Sequence, residues 1–251
     1  MRSVSWWVLI SSVSAPVLLV GGWTVAAKLQ GPGYNPVTTT ISILAADGAA
    51  GYWVMTSALV ALGACHVITA SGLRPAAPYG RAALAGGGLS AMLLALFPAP
   101  SSGGSFPHGV IVTVGFSLLA LWPVLAVRRG IMRPRPAPAR AKDTPPGPVV
   151  PGSDPVAPGS GPVVPGSDPA KPGSGPVVPG PGRSAPWGLR RTPSVTAAAL
   201  IWLGGAWFLL ALYLFDIAGA AERVITFAQT FWPLVVAVSC FRHVDEDRQP
   251  V

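Results

Sequence analysis

Charged residues are scarce in this chain. Asp, Glu, Lys and Arg make up 10% of its 251 residues, whereas 51% of the residues are hydrophobic. A soluble domain usually carries about 25% charged residues, so this protein has too little charge for a surface that faces water throughout. The deficit argues against an ordinary soluble globular domain and favours a protein that lies in a lipid bilayer.

Cysteine and histidine are also sparse. The chain has two cysteines, Cys65 and Cys240, and three histidines. Two cysteines do not make the disulfide framework of a small secreted domain, and we expect both to be small buried residues. No HExxH, paired-cysteine or Ser–His–Asp spacing occurs, so the motifs predict neither a metal nor a cofactor.

Long apolar runs are what the chain has in abundance. Each has about the 17–25 residues that a membrane helix needs, and a helix satisfies its backbone groups internally, as lipid requires. The first run is longer than the roughly 7–15 apolar residues of a signal peptide, so we expect it to be retained. The sequence predicts an all-α fold, a polytopic bundle of six transmembrane helices: Val4–Leu29, Gly51–Leu73, Gly80–Phe97, Gly109–Val127, Val195–Phe215 and Val224–Phe241.

The net charge of +8 is distributed unevenly. If the amino terminus is cytoplasmic and the spans alternate, all 17 Lys and Arg residues except Lys28 and Arg223 face the cytoplasm. This positive-inside pattern predicts a multi-pass cell-membrane protein with both termini cytoplasmic. The expected partners are the lipid bilayer, a lipid or small apolar ligand, and another membrane protein. Nucleic acid is not expected, because no recognised motif accompanies the basic charge.

A proline- and glycine-rich segment interrupts the apolar runs. GPVVPGSDPVAPGS (147–160) is followed by its near-copy GPVVPGSDPAKPGS (161–174). Such a proline-rich repeat excludes helix and sheet and has too few apolar side chains for a core. We therefore predict a disordered cytoplasmic linker that acts as a spacer, with a polyproline ligand for a partner domain as the alternative. The predicted parts are helices one to four (1–127), linker (128–194), helices five and six (195–241) and cytoplasmic tail (242–251).

Three loops are predicted to face away from the cytoplasm. They are GYNPVTTTISILAADG (33–48), PAPSSGGSFPH (98–108) and DIAGAAER (216–223), and together they carry Asp47, His108, Asp216, Glu222 and Arg223. A histidine near carboxylates is suited to proton transfer or metal binding. The alternative is structural: Glu222 caps the last helix, and Arg223 pairs with an acid to orient the loops. Residues 38–44 are expected to form a short interfacial helix that covers the mouth of the bundle.

One histidine, His66, is predicted to lie within the second span, about two turns from its cytoplasmic end. Ionisable groups inside a membrane are costly and are often functional. The two interpretations are a proton relay and a neutral imidazole that bonds a neighbouring hydroxyl or carbonyl.

Several short motifs resemble the membrane family called domain of unknown function 998. They are TTTISILAA (38–46), the FP of LFPAP (96–100), His108 at the start of the fourth span and GAAERVITFAQTFWP (219–233). The resemblance implies a six-helix membrane protein without an established activity. It places Thr40, Ile41 and Ser42, Phe97 and Pro98, His108, and Glu222 with Arg223 at motif positions.

The chain departs from that family pattern at two acids. An acid commonly follows the TIS triplet and another follows FP after one residue, but here these places hold Ile43 and Pro100. A site built on those carboxylates would be incomplete in this chain, which weakens the case for catalysis.

Two main functions are open at this stage, and the residues do not decide whether the protein is an enzyme. The first is a non-catalytic sensor, assembly partner or small-ligand binder that acts through its extracytoplasmic loops. The second is a membrane enzyme acting on a lipid or isoprenoid at the outer leaflet. A proton-coupled carrier is third, since only His66 lies deep within a span. The candidate extracytoplasmic site comprises Thr40, Ser42, Asp47, His108, Asp216, Glu222 and Arg223.

Overall fold

The computed structural model of the chain describes residues 4–101, 104–128 and 185–246. Over these ranges the backbone forms helices and turns without a strand, which confirms the predicted all-α class. A 3₁₀ turn, Trp187–Leu189, precedes α6. The α-helices are α1 (Trp6–Lys28), α2 (Ile41–Leu44), α3 (Tyr52–Gly72), α4 (Pro78–Leu93), α5 (Phe106–Leu125), α6 (Arg191–Leu214) and α7 (Ala218–Glu246).

Five of these helices, α1, α3, α5, α6 and α7, are long and apolar enough to cross a membrane. They coincide with five of the predicted spans and indicate a multi-pass membrane protein. Aromatic side chains near helix ends support this assignment, because amphipathic rings favour the headgroup layer. More than two thirds of the surface of each of Trp6, Trp53, Tyr79 and Tyr213 is exposed.

The remaining predicted span, Gly80–Phe97, corresponds to α4, which is shorter than expected. It begins earlier, at Pro78, and ends at Leu93 after 16 residues. Beyond Leu93 the backbone tightens into turns in which Ala95 and Leu96 donate to carbonyls three residues back. Pro98 then lacks the N–H needed to continue a helix, so α4 falls outside the group of five long apolar helices.

The bundle is assembled largely from sequential neighbours. Helix α3 packs against α1 and α4, α4 packs against α5, and α7 packs against α1 and α6. Close approach of α3 and α4 depends on glycines: a Cβ added to Gly88 would lie 2.6 Å from the Gly63 carbonyl oxygen. Small residues permit such contact where lipid supplies no hydrophobic drive, so the glycine run at 86–88 serves helix packing.

The two ends of the bundle differ in character. At one, which we call the basic end, Arg81 donates to the carbonyls of Ala70 and Ser71. Arg128 donates there to the carbonyls of Arg74 and Pro75. Cations favour carbonyls at a helix carboxyl end, so these arginines secure the chain where α3 ends. The other end, the loop end, holds residues 29–51, 94–101, 104–105 and 215–217.

Most of the predicted linker, with its repeat, lies outside the described residues. Apart from Arg128, the described part of the predicted linker begins at residue 185, and it packs on the bundle. Leu189 is buried, the Gly188 N–H donates to the Ser239 hydroxyl, and α6 already begins at Arg191. The structured region therefore starts ahead of the predicted boundary at Val195. At the other boundary, α7 continues to Glu246, past the predicted end at Phe241.

Candidate functional site at the loop end

A short segment of the first loop, residues 34–44, lies across the loop end; we call it the lid. It opens with a turn in which Asn35 accepts hydrogen bonds from the N–H groups of Val37, through its side chain, and Thr39, through its carbonyl. It closes with α2, whose Ile41 and Leu44 are buried against α1 and α3. The predicted interfacial helix over residues 38–44 is therefore present in shortened form.

Arg223 of α7 fastens the first half of the lid. One guanidinium nitrogen donates to the carbonyls of Pro36, Thr39 and Gly219 at 2.7, 3.0 and 2.8 Å. The other donates to the Tyr34 hydroxyl. Burial raises the pKa of the Tyr34 phenol above its ordinary value of 10.0 although the Arg223 charge opposes the shift, so the phenol stays neutral and accepts the bond.

Glu222 fastens the second half of the lid. Its buried carboxylate accepts hydrogen bonds from the backbone N–H of Ile41 and, at 3.2 Å, from the Ser42 hydroxyl. Ile41 is the first residue of α2, and the first N–H groups of a helix have no partner within it. The side chain of the preceding residue, Thr40, caps none of them, so a carboxylate from a distant helix performs the capping.

The structural interpretation made from the sequence is wrong in two details. Glu222 does not cap its own helix, because α7 begins at Ala218 and Glu222 lies one turn inside it. Arg223 is fastened to backbone carbonyls and a phenol instead of an acid. Adjacent residues on a helix point in different directions. Glu222 therefore accepts from lid donors, while Arg223 donates to lid carbonyls.

Close approach of α7 to the lid requires a glycine. The Ala220 N–H donates to the Val37 carbonyl at 3.0 Å. A Cβ built on the neighbouring Gly219 would lie 2.6 Å from the Pro36 carbonyl oxygen and closer still to that of Thr39. Any side chain at 219 would therefore push the lid away from α7.

Beneath the lid lies a cavity of about 60 Å³ that brings three of the candidate residues together. Ser42, Glu222 and His108 line it, together with apolar side chains such as Leu19 and Phe116. His108 is half-buried, and its Nδ1 lies 2.9 Å from the Phe97 carbonyl oxygen. In the neutral ring, that bond puts the proton on Nδ1 and leaves Nε2 as the acceptor.

A second cavity of about 70 Å³ continues deeper into the bundle. The two share lining side chains that include Leu19, Leu59, Val112, Phe116 and Thr226. The deeper space is almost entirely apolar, with Gln229 and Thr230 among its few polar residues. Two small, mainly apolar cavities therefore adjoin, and the one under the lid carries the polar side chains.

The remaining candidates do not join this site. Asp47 and Asp216 are exposed, and neither lines the cavity. Ile43, which stands where the family pattern has an acid, is also exposed, so an acid at that position would not enlarge the polar mouth. Within residues 4–101, 104–128 and 185–246 there is no group of three or more His, Cys, Asp or Glu side chains that could hold a metal ion.

His66 lies elsewhere, at the contact between α3 and α4. Its side chain is fully buried, and neither ring nitrogen has a hydrogen-bond partner in the described part of the chain. A nearby hydroxyl pair, Ser11 and Thr69 at 2.8 Å, bonds across α1 and α3 without it. The hydroxyl or carbonyl partner expected for a neutral His66 is therefore not found among these residues.

Sequence reasoning missed three contributors to the site: Tyr34, Thr226 and Gln229. Nothing in the local sequence of Tyr34 points to the distant Arg223. Thr226 and Gln229 could have been found, because they follow Glu222 at four and seven residues and so share one helical face. That polar stripe on an otherwise apolar helix indicates a face turned toward the bundle interior.

Comparison with known proteins supports the resemblance stated above. The family model described as Protein of unknown function (DUF998) matches residues 12–142. This match takes in the lid and His108, while Glu222 and Arg223 lie outside it, so their family motif stays a prediction. No curated protein and no solved structure matches the chain.

Proposed function

Because the chain belongs to the family described as Protein of unknown function (DUF998), which assigns no activity, we propose a function from the geometry of the loop end. The protein is a non-catalytic, multi-pass membrane protein that binds a small apolar ligand under the lid. The ligand is an aliphatic chain that ends in a hydroxyl group.

The observation that carries this proposal is the shape and lining of the two adjoining cavities. Their walls are apolar, whereas the mouth presents the Glu222 carboxylate, the Ser42 hydroxyl and His108. A carboxylate only accepts hydrogen bonds, so a ligand hydroxyl fits this mouth better than a ligand acid. Drug-sized pockets occupy about 300–1,000 Å³, so the present volumes suit a short chain or require the lid to move.

The bonding of the charged residues supports binding over catalysis. Glu222 is engaged by lid donors and Arg223 by lid acceptors, which suits a clamp. The acids that would complete a catalytic set, Asp47 and Asp216, are exposed and line neither cavity.

Photocrosslinking tests the proposal. An aliphatic alcohol carrying a diazirine at its tail is added to the purified full chain, and labelled peptides are mapped by mass spectrometry. Labelling is expected in α1 and α5 around Leu19 and Phe116, with competition by excess unlabelled alcohol. Val112→Trp fills the cavity and should abolish this labelling. Val114→Trp, on the exposed side of the same helix, should preserve it. Labelling that survives Val112→Trp contradicts the proposal.

A membrane enzyme acting on a lipid is the second candidate, favoured by the convergence of His108, Ser42 and Glu222 on one cavity. In this case the free acceptor nitrogen of His108 is the base. Complementation of a deletion strain by a chain carrying His108→Gln separates the two, because glutamine keeps hydrogen-bonding groups at the mouth of the cavity but cannot act as a base. Failure to complement at normal membrane abundance, together with an altered lipid profile of the deletion strain, favours the enzyme. Full complementation favours the binder.

The proposal includes six spans with both termini in the cytoplasm. Turns extend α4 as far as Phe97, which gives a segment of about 30 Å at roughly 1.5 Å per residue, comparable to the hydrocarbon core. If α4 spans, the loop end is extracytoplasmic and the basic end cytoplasmic, in agreement with the positive-inside rule. The predicted membrane parts, 1–127 and 195–241, then flank a cytoplasmic linker that ends before α6, which begins at Arg191.

A further inference from the structure

An open cleft of about 670 Å³ lies at the basic end, far larger than the cavities under the lid. The 3₁₀ turn Trp187–Leu189 leads into it, and α6 and α7 form its walls. The Trp187 and Trp232 rings meet there with centroids 6.0 Å apart. Nothing in the proposed function of the loop end uses this space.

The cleft changes from polar to apolar along α6. Thr192, Thr196 and Leu200 all line it and are spaced four residues apart, which places them on one helical face. The hydroxyls lie near the start of α6, and Leu200 lies two turns further in. On the opposite wall, Trp232 and then Ala228 follow the same direction on antiparallel α7. A phospholipid has this distribution, with a polar head and an apolar chain.

The polar mouth of the cleft also carries positive charge. Arg190 lines the cleft, and its Nε donates to the Ala185 carbonyl at 3.0 Å, a bond that helps fix the side chain. Arg191 follows directly, and no side chain caps the first turn of α6. The start of a helix favours negative charge, and a guanidinium binds phosphate through several N–H groups. The charge at the mouth therefore complements an anionic phosphate.

The exposure of the cleft walls indicates that the occupant is a lipid. About half the surface of each of Trp187, Leu200 and Phe231 is exposed. Leu200 and Phe231 lie on α6 and α7, two of the five helices long and apolar enough to cross a membrane. Hydrocarbon is therefore what these side chains would meet.

We propose that this cleft binds one anionic phospholipid. Its phosphate lies at Arg190 and the first turn of α6, and an acyl chain runs along Leu200 and Phe231. The site is independent of ligand binding under the lid and lies at the opposite end of the bundle.

Native mass spectrometry of the full chain in detergent tests the proposal, with phosphatidylglycerol or phosphatidylcholine added. Phosphatidylglycerol should bind about tenfold more tightly. Arg190→Gln should reduce its affinity to that of phosphatidylcholine. Arg74→Gln removes an exposed arginine at the same end but outside the cleft, so it should leave the affinity unchanged.

A second pair of variants keeps the test decisive if Arg190→Gln does not fold. Leu200→Trp fills the cleft from an exposed position and should weaken binding of both lipids by about tenfold. Leu203→Trp changes an equally exposed position on α6 that does not line the cleft and should have no effect. Equal affinity for the two lipids, or full lipid binding by Leu200→Trp, would overturn the proposal. It would also be overturned if inorganic phosphate alone stabilised the chain against heat as much as phosphatidylglycerol does.

Discussion

The Glu222 carboxylate of α7 accepts a hydrogen bond from the backbone N–H of Ile41, 181 positions earlier in the chain. Its neighbour Arg223 binds lid carbonyls on the other side of the same turn. Two adjacent side chains thus satisfy both the donors and the acceptors of one loop. They join the last helix to the first part of the chain, across the predicted linker.

Removing the Glu222 carboxylate should destabilise the protein. Glu222→Ala leaves the buried Ile41 N–H and the Ser42 hydroxyl without their acceptor, which costs about 1–3 kcal/mol of unfolding free energy. Glu222→Gln keeps an acceptor oxygen and should cost less. Titration of the detergent-solubilised chain with sodium dodecyl sulfate measures both changes. Asp216→Ala, at an exposed acid, should stay within about 0.5 kcal/mol of wild type; equal losses at 216 and 222 would refute a special role for Glu222.

The absence of a side chain at Gly219 should be essential for the close packing of α7 against the lid. Gly219→Ala places a methyl group against the carbonyls of Pro36 and Thr39 and should destabilise by about 1–3 kcal/mol through overpacking. The control is Gly21→Ala, also a helical glycine, where an added Cβ meets nothing within 4 Å. That change should be neutral or stabilising by up to about 1 kcal/mol. The same unfolding titration distinguishes them, and a stable Gly219→Ala protein would contradict the close approach of α7 and lid.

The bonds of Arg223 should be coupled to Tyr34. Arg223→Lys retains the charge but not the planar fork that reaches three carbonyls and a phenol, and we expect a loss of about 1–3 kcal/mol. Tyr34→Phe removes one acceptor and should cost about 1 kcal/mol. Once Arg223→Lys has removed the donor of the phenol, adding Tyr34→Phe should cost less than it does in the wild-type chain, so the combined loss should be smaller than the sum. Strict additivity in this double-mutant cycle would show that the two side chains do not interact.

The proposed orientation predicts which positions reagents can reach. In a chain with Cys65→Ser and Cys240→Ser, single cysteines are placed at Asn35, Arg74 and Gly104, all of which are exposed. A membrane-impermeant maleimide should label positions 35 and 104 in intact cells, and position 74 only after permeabilisation. Labelling of 74 and 104 from the same side would show that α4 does not span.

The apolar runs predicted most of the fold because membrane helices are encoded locally. Length and hydropathy identified all five long helices. Helix ends were less predictable. The end of α4 depends on turns ahead of Pro98, and the start of α6 on the packing of Leu189 against the bundle.

Three of the predicted site residues, Ser42, His108 and Glu222, line one cavity, but their geometry could not be predicted from the sequence. Placing Glu222 and Ser42 on one side of the membrane followed from topology alone. Which backbone groups each charged residue meets depends on the orientation of α7 and the path of the lid, and these contacts span about 180 residues. The sequence gives no reason to prefer Glu222 to Asp47 or Asp216 as a site residue. Only the structure distinguishes them, because Glu222 is buried and the two aspartates are exposed.

Amide hydrogen exchange over residues 34–44 tests most directly whether Glu222 holds the lid on the bundle. The full chain in detergent is compared with Glu222→Ala, with Asp216→Ala as the matched control. The Glu222→Ala lid should exchange at least about tenfold faster, since the loss of about 1.4 kcal/mol of local stability changes an opening equilibrium by that factor. Asp216→Ala should exchange at the wild-type rate. Identical exchange in wild type and Glu222→Ala would contradict the clamp and the closed cavity beneath it.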